Sequence, residues 1–155
     1  MAMGYAQILS RAQVGLAAPP VRVEVHLASG LPAFNIVGLP APVVRESKER
    51  VRAALSHCGF DFPAGRITVN LAPADLPKEG GRFDLPIALA ILMASDQLPS
   101  ERLDRVELYG ELSLGGELRI DGRRPERASR ARSPLRPALP RRHAIYPRPR
   151  IRRTL

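Results

Sequence analysis

The chain has a single cysteine, Cys58, in 155 residues. That scarcity excludes an internal disulfide and any cysteine-based zinc site, and it suits a reducing cytosol. Long apolar runs are missing too. The longest, Leu85 to Ala94, is too short to span a bilayer, and the N-terminus lacks a basic segment followed by an apolar one. A cytoplasmic protein with no membrane partner is therefore expected. No G-x-x-x-x-G-K-S/T phosphate loop occurs, so ATP cannot be held in a loop of that kind, and no Ser, His or Asp motif of a hydrolase is present. His26 and His57 are far apart, one expected on the outer face of a strand and the other near a helix end. No acidic spacing around them reads as a metal set. Cys58 falls on an apolar helix stripe and reads as a small core residue rather than a nucleophile.

What is present is enough for one core: apolar residues make up 45% of the chain. The formal charge of +9 suggests a nucleic-acid binder until its distribution is followed. Residues 123 to 155 hold 12 Arg against one Glu, a net +11, whereas residues 1 to 122 hold 12 Lys and Arg against 14 Asp and Glu, a net −2. The basic character belongs to the C-terminal part. There six prolines fall within 33 residues, no hydrophobic periodicity survives, and too little apolar surface is available to offset the entropy of ordering. The expectation is an α+β domain over 1–122 followed by a disordered arginine/proline tail over 123–155.

Within the domain, Val21 to Leu27 alternates strictly, with Val21, Val23, Val25 and Leu27 facing a core and Arg22, Glu24 and His26 facing out. Tyr5 to Arg11 alternates more weakly. With the apolar stretch Phe34 to Val37 these segments suggest an antiparallel meander. Gly38-Leu-Pro40 precedes a helix expected from about Ala41 to Cys58, with Val44, Val51, Leu55 and Cys58 on one stripe and Gly59 as its C-terminal cap. The opposite face carries Glu46 with Arg50 and Arg45 with Glu49 at helical i,i+4 spacing, and is read as solvated. Arg66 to Leu71 is another alternating strand. A loop over 72–83 leads to a second helix that Asp84 can cap and that is apolar nearly all round from Leu85 to Met93. Val106 to Leu112 and Glu117 to Ile120, joined by Ser113-Leu-Gly-Gly116, form a hairpin by spacing.

The densest stretch is the loop itself, Asn70-Leu-Ala-Pro-Ala-Asp-Leu-Pro-Lys-Glu-Gly-Gly-Arg-Phe-Asp-Leu-Pro86. Two adjacent glycines, Gly80 and Gly81, before a helix N-terminus with Lys78 and Arg82 beside them suit contact with an anion or a nucleic-acid backbone. Pattern alone favours the other reading, in which the glycines merely permit the turn and both basic side chains are in water.

Three segments carry a resemblance. Phe34-Asn-Ile-Val-Gly-Leu-Pro40, Glu46-Ser-Lys-Glu-Arg-Val-Arg-Ala-Ala-Leu55 and Arg66 through Leu89 closely resemble the N-terminal domain of the ComM/YifB family of magnesium-chelatase-like AAA+ ATPases, from about Tyr5 to Gly122. The resemblance implies a Lon-protease-like domain of the ribosomal protein S5 domain 2-like fold. In full-length members it precedes an ATPase module that uses ATP and magnesium, forms hexameric rings and acts on DNA, through branch migration during natural transformation. In Lon proteases the corresponding loop bears a nucleophilic serine. Here the alignment puts Arg82 at that place, and a guanidinium cannot attack a carbonyl, so no catalytic residue is expected and no cofactor is expected in this chain. The noncatalytic Lon-like domain of the RadA recombinase is similar in the same region. By that analogy Lys78 and Arg82 serve DNA contact or assembly of a homo-oligomer. After Glu111 to Arg119 the family continues with further elements, whereas this sequence turns to arginine, proline and alanine. A frameshift near codon 122 is the expected origin of that change. It leaves a Lon-like domain short of its last elements, with part of the Leu85 to Met93 helix expected to be uncovered.

Overall fold

The computed structural model describes residues 4–101 and 103–119. The tail over 123–155, the boundary at Gly122 and the end of the hairpin at Ile120 lie outside these residues. The described part is a four-stranded sheet backed by helices on one face, with a short hairpin at one end.

Strands β1 (Gly4–Arg11) and β2 (Pro20–Ala28) form an antiparallel pair with Ile8 opposite Val23 and Ala6 opposite Val25. Their inward side chains and those of β4 (Arg66–Ala72) are almost wholly buried, as the alternation requires. The meander, however, stops at two strands. The third strand, β3 (Ala33–Val37), does not pair with β2. β4 lies between them, antiparallel to β2 and parallel to β3, in the order β1-β2-β4-β3. Alternation reports which face a side chain takes and carries no information about the neighbouring strand. The helical connection from β3 to β4 makes a parallel pair possible.

That connection is not one helix from Ala41 to Cys58. It is a single turn, α1 (Pro42–Arg45), followed by α2 (Ser47–His57), with Glu46 at the junction. Val44, Val51, Ala54 and Leu55 are buried as the apolar stripe demands, whereas Cys58 is only half-buried. Gly59 takes a φ of 84°, and the Phe60 amide returns to the Leu55 carbonyl at 3.0 Å, closing the helix in the left-handed turn expected of a glycine there.

Helix α3 (Asp84–Ala94) packs on β1, β2 and α2 and forms the centre of the core. Ile87, Ala90 and Ile91 are fully enclosed, and of its eleven residues only Leu89 is part-exposed. Among the described residues the helix is therefore covered, contrary to the expectation of an open apolar face. Mean burial of an apolar side chain contributes about 1.5–3 kcal/mol. The segment after α3 returns past the edge of β1, where the Leu108 amide donates to the Leu9 carbonyl at 2.8 Å. It then enters the hairpin of β5 (Glu111–Leu112) and β6 (Leu118–Arg119), whose ladder among the described residues begins at Glu111 rather than at Val106.

The sheet face away from the helices carries Tyr5, Arg22, His26, Arg66 and Asn35, all exposed. No helix among the described residues is long and apolar enough to cross a membrane.

Candidate functional site

The loop between β4 and α3 joins four parts of the molecule, and its chemistry follows from where each side chain is held. Midway along it, Lys78 is completely buried. Its ammonium donates to the carbonyl oxygen of Gly38 at 2.7 Å and to that of Pro73. Its backbone continues the link: the Ala41 amide donates to the Lys78 carbonyl at 3.0 Å. The Gly38-Leu-Pro40 turn and the 73–78 loop thus close around one cation. Burial pushes the Lys78 ammonium below the usual lysine range, with the charge of Asp75 acting in the opposite direction. Gly38 is required in this turn. Its φ is 99°, and a Cβ there would lie 2.2 Å from the Leu71 carbonyl oxygen.

The picture of Lys78 as a free surface cation is corrected by this burial. A long side chain with few apolar neighbours in sequence suggests solvent, but the Gly38 and Pro73 carbonyls converge on the interior, where the lysine donates to both, beside the 3.4 Å bond from the Leu76 amide to Pro73. Arg82, in a single 3-10 turn over Gly81–Phe83, behaves differently. Its guanidinium reaches the surface and donates to the Gln13 side-chain oxygen at 2.6 Å, joining the loop to the β1–β2 connection. Gly80 has a φ of 78° with open space around its α-carbon, whereas Gly81 packs against Glu111, whose carboxylate oxygen would lie 2.6 Å from an added Cβ.

Asp84 does not cap α3. It is the first helical residue and makes no capping hydrogen bond. Its carboxylate is fully buried and faces α2 instead, accepting from Ser47 Oγ at 2.5 Å, from Arg50 Nε at 2.6 Å and from Arg50 Nη2 at 3.1 Å. It also accepts from the Leu112 amide of β5 at 3.1 Å. Every lone-pair direction of the carboxylate is in use. The Asp84 pair holds Arg50 protonated with a raised pKa. The charged face of α2 is accordingly not wholly solvated: the Arg50 side chain is 18% exposed, and its 3.6 Å approach to Glu46 is secondary to Asp84. Arg45 and Glu49 form no ion pair among the described residues.

The structure therefore brings Gly80, Gly81, Arg82 and Asp84 to one end of α3, and turns Lys78 away from them into the interior. Ser47 escapes the sequence reading, which sets Arg50 on the solvated face. The signal was a serine three residues after Val44 and four before Val51, a polar residue on an apolar stripe that must find a buried partner. Elsewhere, a cleft of about 220 Å³ beside Leu27, Asp61 and Gln97 is shallow, and Asp61 and Gln97 satisfy one another across it at 2.8 and 2.9 Å. Cys58 packs its thiol near the Gly115 carbonyl, and burial pushes it up from the usual thiol range.

Comparison with known proteins places this sequence in a wider set. The family model described as the ChlI subunit of Mg-chelatase matches residues 23–133. Competence protein ComM of Haemophilus influenzae Rd is 58% identical over 117 residues, covering 76% of this chain and 23% of that protein. YifB of Escherichia coli K12 is 55% identical over the same length and coverage, and a Mycobacterium bovis protein, Mb2921c, is 45% identical over 119 residues. The chain spans about a quarter of the length of the curated relatives it matches, 23% in each case.

Proposed function

The chain belongs to the family of the ChlI subunit of Mg-chelatase, and from that membership we propose that it is a noncatalytic N-terminal domain of a ComM/YifB-type AAA+ ATPase whose full-length form remodels DNA. The observation that carries the reading is the 58% identity over 117 residues to a protein named for competence, at the N-terminal domain the two share. In this reading the domain follows the S5 domain 2-like course of Lon-like domains. ATP and magnesium are bound by a module outside the matched part, the assembled form is a hexameric ring in the cytoplasm, and its DNA work is branch migration during transformation.

Among the described residues, those of the 78–84 loop do not fit a nucleotide. The lysine beside the glycines is directed into the interior, and the buried carboxylate of Asp84 occupies the first turn of the helix behind them, where a phosphate would be repelled. Nor do they fit the serine–lysine chemistry of Lon proteases, because Arg82 stands at the nucleophile's place and forms a hydrogen bond to Gln13. Contact with DNA or with a neighbouring ring subunit falls to Arg82, while Lys78 and Asp84 hold its loop in place.

The test is reconstruction. Translation of the DNA downstream of codon 122 in each frame is expected to reveal a family-like continuation containing a phosphate loop, and the restored protein is expected to drive ATP-dependent branch migration on a synthetic junction. No continuation in any frame, or a restored protein inert on junctions, contradicts the proposal.

A second reading rests on the net +11 of residues 123–155: a small protein that binds nucleic acid through that segment alone. It predicts that removing the segment abolishes binding and that the remaining steps of salt titration show no contribution from the body.

A further inference from the structure

The function proposed above leaves one surface unused: the face of the sheet opposite the helices. Tyr5 and His26 sit directly opposite one another on β1 and β2, in the row that continues through Thr68 to Asn35. Alternation puts all four on the outer face. Tyr5 is 60% exposed, which leaves a large aromatic residue open to solvent. Arg22 and Arg66 stand on the same face, both exposed, and neither makes an ion pair among the described residues.

The carboxylate on this face is already committed. Glu24 accepts from the Asn70 amide at 2.8 Å and from the Tyr5 hydroxyl at 3.3 Å. Those contacts tie the Tyr5 hydroxyl and the Asn70 amide to one carboxylate, whose single charge stands against two arginines on the same face. Residues 1–122 carry a net −2, so two unpaired arginines on one open face run against the average of the domain. Flat aromatic and imidazole rings, amides at sheet spacing and flanking guanidinium groups together match one kind of polymer. Its bases must be free to stack and its phosphates must lie within reach of the arginines. A duplex, whose bases are stacked on one another, offers the arginines its phosphates but nothing to the rings.

We infer that the open face of the β1-β2-β4-β3 sheet is a binding platform for single-stranded nucleic acid, with Tyr5 and His26 as the stacking pair and Arg22 and Arg66 as the phosphate contacts. The inference rests on the DNA-remodelling reading and assigns it a surface distinct from the Arg82 loop. Adjacent strands lie about 4.8 Å apart, so four strands span roughly 14 Å, room for about two or three unstacked nucleotides.

The experiment uses the full chain. A thymidine-rich single strand carrying iododeoxyuridine is crosslinked at near-physiological salt, the modified peptides are identified by mass spectrometry, and affinity is measured by anisotropy for Tyr5→Ala, Arg22→Glu, Arg66→Glu and Arg82→Glu. All four side chains reach the surface, and unchanged circular dichroism and urea midpoints show that each variant is folded. Crosslinks at Tyr5 or His26 are expected, with roughly fivefold or greater weakening in Tyr5→Ala and in either sheet arginine variant, and weaker displacement by a duplex competitor. Weakening by Arg82→Glu without any by the three sheet variants overturns the inference and leaves the DNA reading standing. Crosslinks confined to residues 123–155, with all four variants binding as the parent chain does, overturn both.

Discussion

Asp84 and Arg50 are joined by two hydrogen bonds, Nε to Oδ2 at 2.6 Å and Nη2 to Oδ1 at 3.1 Å, with the aspartate fully buried. The pair fixes the start of α3 against α2. Through the Leu112 amide it also fixes β5, so one carboxylate ties three elements at the end of the molecule where the family signature lies. Removing one member of such a pair strands the other charge in a poorly solvated place.

Asp84→Asn is accordingly expected to destabilise the domain by about 3–5 kcal/mol, read from urea unfolding. Combined with Arg50→Ala in a double-mutant cycle, the two changes should be non-additive by about 1–3 kcal/mol. Additive effects would mean that the pair is not coupled.

Lys78→Met preserves most of the side chain's volume and removes the donor shared by Gly38 and Pro73. The Gly38 carbonyl loses this donor and the Pro73 carbonyl keeps only the 3.4 Å bond from the Leu76 amide, so a loss of about 1–3 kcal/mol is expected. The pH dependence has a definite sign. Because the folded pKa of Lys78 is lowered, the unfolded chain binds more protons in the interval below the ordinary lysine value of 10.5, so this group's contribution to stability rises as pH climbs through that interval and falls again as pH drops through the folded pKa. Urea midpoints of the parent chain, compared with Lys78→Met at neutral and strongly alkaline pH, should show a slope that the variant lacks.

Gly38→Ala meets both a positive φ and the Leu71 carbonyl. Strain of about 1–3 kcal/mol is expected from the backbone alone, with more from the contact. The thermal midpoint of Gly38→Ala should fall well below that of Gly80→Ala, whose α-carbon faces open space although its φ is also positive. Equal losses would mean that the close approach at Leu71 adds nothing.

Arg82→Ala removes a surface hydrogen bond to Gln13 and little else. Stability should change by no more than about 0.5 kcal/mol in urea unfolding. A loss comparable to that of Asp84→Asn would mean that Arg82 supports the fold rather than contact with a partner.

Much of this was legible before any coordinates. The strict alternation of Val21 to Leu27 and Arg66 to Leu71 specified two strands and their buried faces, and the unbroken apolar run from Leu85 to Met93 specified a helix enclosed by the core. Sheet order was not legible, because β4 enters between β2 and β3 from far along the chain and nothing local in Phe34 to Val37 names its partner. The site was half legible. The glycines and Arg82 lie where the loop pattern put them. Lys78 and Asp84 turned inward because their partners, the Gly38 carbonyl and Arg50, are brought close only by the tertiary fold.

The inward lysine is the most exposed point of the account to experiment. The chain contains two lysines, Lys48 and Lys78, so acetylation of the native protein followed by peptide mass spectrometry reads each separately. Lys48, part-exposed on α2, is expected to be modified readily, and Lys78 to remain protected until denaturant unfolds the domain. Native-state labelling of Lys78 at a rate comparable to Lys48 would contradict a loop built around a buried cation.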